Sequence, residues 1–211
     1  MPTCFRTDTS EEAVSALEMF AESLGDVAGD PYRWKWSIIA LHGAVQGFLV
    51  LSLRGSNNFD VLSPRSAENW AAAVNDGNLP PADGRLDSLL GLYAKAKSDR
   101  MLKYTTSKRL EPRGTQGASV KMLNSLRNDF IHFVPKRWSI EVTGLPLICG
   151  DCLDLIEFLG WDSGNVMWVD DSVQKRARRA VADARRQILR FAAETRPAER
   201  AGRRADLSQP L

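Results

Sequence analysis

An all-α fold, an up-and-down helical bundle with short extra helices and a basic C-terminal helix, is what this 211-residue sequence predicts. Apolar residues recur at helical spacing in several segments, and no segment alternates at period two for long. Turn-forming stretches such as RGSNN and NLPPADG fall between the periodic segments, as they do between helices. The 44% apolar and 26% charged shares belong to a chain able to bury a core, and the length allows one sizeable core. We therefore expect a single domain over residues 1–195 and a flexible basic tail over 196–211, where Arg, Ala and Pro dominate.

The elements follow in order. Ser10 ahead of Glu11 and Glu12 predicts a helix start with acidic first-turn residues, running to about Gly25. Asp30-Pro31 opens a second helix with proline at its first position, ending near Arg54 before Gly55. Its Gly43 and Gly47 share a face and would let another backbone come close. The stretch Ser37–Leu53 is the most apolar in the chain, but it is short for a bilayer crossing, and His42 and Gln46 interrupt it; a core helix is expected, not a membrane span. Residues 64–76 predict a shorter helix, 86–104 another, and 105–117 a polar, basic loop. A central helix covers 118–134 and closes at Pro135. Residues 138–144 read as extended loop, 145–161 as an apolar helix, and 172–195 as a last helix with Val173, Ala177, Val181, Ala184, Ile188 and Phe191 in register.

Charge and cysteine usage narrow the setting. Residues 172–211 carry 11 Lys/Arg against 4 Asp/Glu, and the preceding 171 residues carry 17 against 22. A basic arm on an acidic body predicts an anionic partner for the arm, unless its arginines are simply solvated. Three cysteines and a polar N-terminus, MPTCFRTDTSEE, predict a reducing compartment, the cytoplasm. Cys149 and Cys152 have CxxC spacing, but without a second pair or a histidine pair for zinc they are expected as buried core thiols. Trp70 and Trp161 are expected in the core, and His42 with Gln46 as a polar pair bonded within the bundle.

The segment NSLRNDFIHFVPKRWS, residues 124–139, holds the candidate chemistry. On a helical wheel Met122, Leu123, Leu126, Phe130 and Phe133 form one apolar arc. Asn124, Asn128 and His132 form a polar stripe across from it, and Arg127 sits at the rim of the arc. A guanidinium there needs partners, because burying it unpaired is costly. A structural reading of His132 is equally simple: a histidine at a helix C-terminus interacts well with the last carbonyls.

Arg127-Asn128-x-x-x-His132 resembles the signature of the HEPN superfamily, an arginine followed four to six residues later by histidine, often with a polar residue directly after the arginine. The resemblance implies a four-helix bundle that pairs as a homodimer, with the motif helices meeting in a shared cleft. It further implies a metal-independent endoribonuclease, without cofactor, acting on RNA as a toxin or defence protein and controlled by an antitoxin. His132 would then act as base on a ribose 2′-hydroxyl or acid on the leaving 5′-oxygen, Arg127 would clamp the phosphate, and Asn128 would orient either. In a toxin subset a tyrosine two residues after the histidine is modified by a partner enzyme; Val134 stands there, so that control is not expected. Lys136 and Arg137, directly after the helix, and Lys108, Arg109 and Arg113, in the loop before it, are the expected RNA-phosphate contacts. Two alternatives use the same residues: a bundle that binds RNA or nucleotide without cutting, and a structural adaptor dimer.

Overall fold

The computed structural model describes residues 4–80, 84–132 and 139–206, with side chains described as far as residue 193. Among the described residues there are seven α-helices: α1 (Thr9–Gly25), α2 (Arg33–Leu53), α3 (Pro64–Asn75), α4 (Leu89–Ala96), α5 (Gln116–His132), α6 (Leu145–Glu157) and α7 (Asp171–Asp206). Among the described residues there is no strand, only one antiparallel bridge between Leu62 and Leu86. The all-α expectation is met.

Helix starts differ from the sequence reading in informative ways. Asp8, not Ser10, caps α1, its carboxylate accepting from the Ser10 N–H at 2.7 Å and the Glu11 N–H at 3.0 Å. An ionised acceptor serves the positive helix end better than a hydroxyl. Pro31 stands before α2 rather than inside it, because Asp30 Oδ1 takes the Tyr32 N–H and makes a separate turn. The helix expected over 86–104 shrinks to α4. Residues 85–87 are drawn off by backbone bonds from Ser63 N–H to Arg85 O and from Asp87 N–H to Val61 O, and Ser98 caps a new 3-10 turn, Asp99–Met101. The α6 segment ends in a π turn, Phe158–Asp162, with the Ser163 N–H bonded to Phe158 O at 2.7 Å. At the other end of the chain α7 runs on past Thr195 to Asp206.

Five helices close a circuit in which α1 packs on α2, α2 on α5, α5 on α6, α6 on α7 and α7 on α1, with α2 also touching α6 across the middle. The C-terminal helix is thus a member of the bundle rather than an appendage; Val173, Ala177, Ala180, Val181 and Ala184 are buried. The centre belongs to α2, whose Ile38, Leu41, Val45, Phe48 and Leu49 are buried. This helix is long and apolar enough to cross a membrane, and most of it is buried inside the bundle. At Gly47 a Cβ would lie 2.7 Å from Ala13 Cβ, so α1 and α2 touch backbone to backbone there. By contrast α3 has no buried residue, and Trp70, expected in the core, is half-buried with its ring 5.2 Å from that of Phe59. Trp161 is also half-buried, stacked at 5.6 Å on Trp168 with Arg178 over its face.

The basic arm finds much of its anionic partner within the chain. Arg176 bonds Glu11 and Glu18 of α1 at 2.9 and 2.7 Å, Arg185 bonds Asp154 and Glu157 of α6, and Arg186 bonds Asp183. The hydrogen bond from Arg176 holds the Glu18 carboxyl below its ordinary range. An acidic body and a basic helix are here two sides of one internal interface.

Candidate functional site

The N-terminal half of α5 is anchored. Ser119 Oγ and Thr115 Oγ1 donate to Asp151 Oδ2 of α6 at 2.5 and 2.7 Å, and Gln116 Nε2 donates to Asp151 O at 3.3 Å. Gln116, Ser119, Val120, Leu123 and Leu126 are buried. Beyond Leu126 no described residue of α5 is buried: Arg127 to Phe130 are half-buried, and Ile131 and His132 are exposed. The motif thus begins where the helix becomes half-buried, with Phe130 still packed against the core. Met122, placed on the apolar arc by the wheel, is 50% exposed, and Val120 takes its place in the buried stripe. The stripe therefore lies one position further round than the sequence pattern implied.

Asn124 is turned inward. Its Oδ1 lies 3.4 Å from His42 Nε2 across the contact between α2 and α5. His42 is only 6% exposed and bonds within the bundle as expected, its partner being Asn124 of α5. Burial and the Arg127 charge hold the imidazole below its ordinary range, against a smaller opposing effect of the Asn124 bond. It is therefore a neutral side chain at neutral pH. Arg127 Nη1 donates to Asn128 Oδ1 at 3.1 Å.

Arg127 and His132 are not brought together by one chain. Five helical residues separate them by about 140° and about 7.5 Å of rise. Asn128 narrows the gap. It stands one turn before His132, within about 40° of it around the axis, and by holding Nη1 it turns the guanidinium toward the histidine side of α5.

The basic loop is elsewhere. Lys108, Arg109 and Arg113 line a cavity of about 740 Å³ at the start of α5, with Gln116. From Gln116 to His132 the helix rises about 24 Å, so these cations cannot touch a phosphate held at His132. Nor is the cavity basic: Glu111, Asp151, Asp154, Glu157 and Asp162 share its lining, and Arg109 is paired with Asp99 at 2.9 Å. Lys136, Arg137 and Val134 lie outside the described residues. Among the described residues no three His, Cys, Asp or Glu side chains gather as a metal-ligand set.

Cys149 and Cys152 are fully buried on α6, as expected, with burial pushing the Cys149 thiol up to about 12. They are inert at neutral pH. What sequence reasoning missed is the link from His42 to Asn124, whose residues lie 82 positions apart in the chain. The one signal was a histidine inside the most apolar helix, which had to find a partner somewhere. Comparison with family models, with curated proteins and with solved structures finds no match to this chain.

Proposed function

We propose that this chain is a metal-independent endoribonuclease of the HEPN kind, working as a homodimer in which two copies of α5 bring Arg127, Asn128 and His132 to a common RNA phosphate. The observation that carries the reading is the Asn128 bond, which aims the Arg127 guanidinium to the side of α5 where His132 stands exposed.

The chemistry follows from the residue types. One imidazole takes the proton of a ribose 2′-hydroxyl, the 2′-oxygen attacks phosphorus, and the P–O5′ bond breaks as a second, protonated imidazole gives its proton to the 5′-oxygen. The products are a 2′,3′-cyclic phosphate and a 5′-hydroxyl. Arg127 stabilises the added charge on the phosphorane oxygens. One histidine per chain cannot be acid and base in the same step, which is the chemical reason for a second copy. The site belongs to α5 and its C-terminal end, and the mixed-charge loop at its start takes no part in the step. A toxin or defence role, with an antitoxin partner, is part of the same proposal.

The test uses single-stranded RNA with EDTA present. The wild type is expected to cut, and His132→Ala and Arg127→Ala to lose at least about a hundredfold in rate while keeping the fold. RNA bound but never cut, with binding weakened by Arg127→Ala, points instead to a binding module. No interaction with RNA, together with loss of self-association in both variants, points to an adaptor dimer.

A further inference from the structure

Resting on that reading of α5, we infer that His42 is a positioning residue for Arg127: the buried imidazole, joined to Asn124 across the α2–α5 contact, fixes the turn of α5 from which the guanidinium is presented to phosphate.

A polar side chain 6% exposed on the most apolar helix is unfavourable unless bonded, and the hydrogen bond of His42 to Asn124 is long, at 3.4 Å. As a packing element it is a poor choice, since leucine or phenylalanine would bury more apolar surface there with no polar group to satisfy. Its placement explains it better. Asn124 precedes Arg127 by three positions and Asn128 by four, so the three lie along one side of α5. Fixing Asn124 to α2 fixes the rotation of this part of α5, just before the last buried residue, Leu126.

Neutrality is the second half of the argument. Arg127 is the charged group that acts on His42. A lysine or arginine at position 42 would repel the guanidinium, a carboxylate would capture it and fold it inward, and an aliphatic side chain would leave Asn124 without its partner. A neutral imidazole does none of these. It ties the helix down and leaves the Arg127 charge available to an anion.

Two arms test this. The first uses a single-stranded RNA with 2′-O-methyl riboses, which can bind but cannot be cut. His42→Phe should weaken binding about tenfold, the scale of one lost positioning bond. His42→Gln, which keeps an N–H donor, should recover most of it, and His42→Phe should add nothing on top of Arg127→Ala. Equal losses in the Phe and Gln variants, or losses that add to that of Arg127→Ala, would overturn the inference. The second arm needs no RNA. With only two histidines in the chain, imidazole NMR signals are assigned by His132→Ala. Arg127→Gln should raise the pH at which His42 takes its proton; an unmoved His42 overturns the inference even if the Phe variant fails to fold. A wild type in which His42 responds to Arg127 but no RNA binds would sink the ribonuclease reading and the positioning role with it, leaving only the closeness of the two side chains.

Discussion

His42 and Arg127 are a base and a cation on neighbouring helices, and their proximity has a consequence for stability. Because the folded protein holds the imidazole below 6.5, the unfolded chain binds the proton more readily than the native one. Stability from this source is complete above pH 6.5 and is lost as pH falls from there through the folded value. His42→Gln lacks the group, so the advantage of wild type over this variant should shrink between neutral and mildly acidic pH. Urea unfolding at several pH values checks it; a gap that widens on acidification would contradict the assignment. At this scale the sequence showed Arg127, Asn128 and His132 directly, because their spacing lies within one helix. It did not show the His42–Asn124 contact, since nothing local tells a histidine on α2 which later helix it will face.

Among the helices, α1 and α2 come very close at Gly47. A Cβ at Gly47 would meet Ala13 Cβ at 2.7 Å and its Cα at 2.9 Å, whereas one at Gly43 would sit at an ordinary 3.5 Å from Ala16 Cβ. Gly47→Ala should therefore cost about 1–3 kcal/mol by forcing two backbones apart. Gly43→Ala should be neutral or stabilising by up to about 1 kcal/mol, through helix propensity alone. Thermal or denaturant melts of both variants decide, and equal effects would mean that the contact is looser than described. The glycine pair was legible in sequence because i,i+4 spacing puts both on one face; which glycine bears the contact was not. Helix ends were less legible for a related reason. Leu86 belongs to a bridge with Leu62, and the π turn depends on how Ser163 meets Phe158, neither of which is encoded in a local window. The loop before α5 holds a plainer lesson. A loop that enters a helix at its start is separated from the helix end by the helix length, so its cations could have been set apart from His132 by counting residues.

For the molecule as a whole, a polar tie holds one end of the bundle. At the π-turn end, Asn165 is buried. Its Nδ2 donates to Ser52 O of α2 at 2.9 Å and to Met101 O at 2.7 Å, and its Oδ1 accepts from Ser107 Oγ at 2.5 Å. Asn165→Ala strands two carbonyls and should cost about 2–4 kcal/mol, seen as a lower denaturant midpoint. It should leave RNA cleavage intact at low temperature, because the α5 motif lies at the helix's other end. The bundle class was readable because α1 and α7 declare an apolar stripe and α2 is apolar nearly all round, and the role of α7 followed from its register once the acidic faces of α1 and α6 were seen to accept its arginines. The account stands most heavily on the claim that the half-exposed end of α5 cuts RNA through the ribose 2′-hydroxyl. End-group analysis by mass spectrometry of RNA incubated with the full chain in EDTA tests it most directly. The account predicts 2′,3′-cyclic phosphate and 5′-hydroxyl ends that vanish with His132→Ala; 3′-hydroxyl and 5′-phosphate ends, or products that persist without His132, would contradict it.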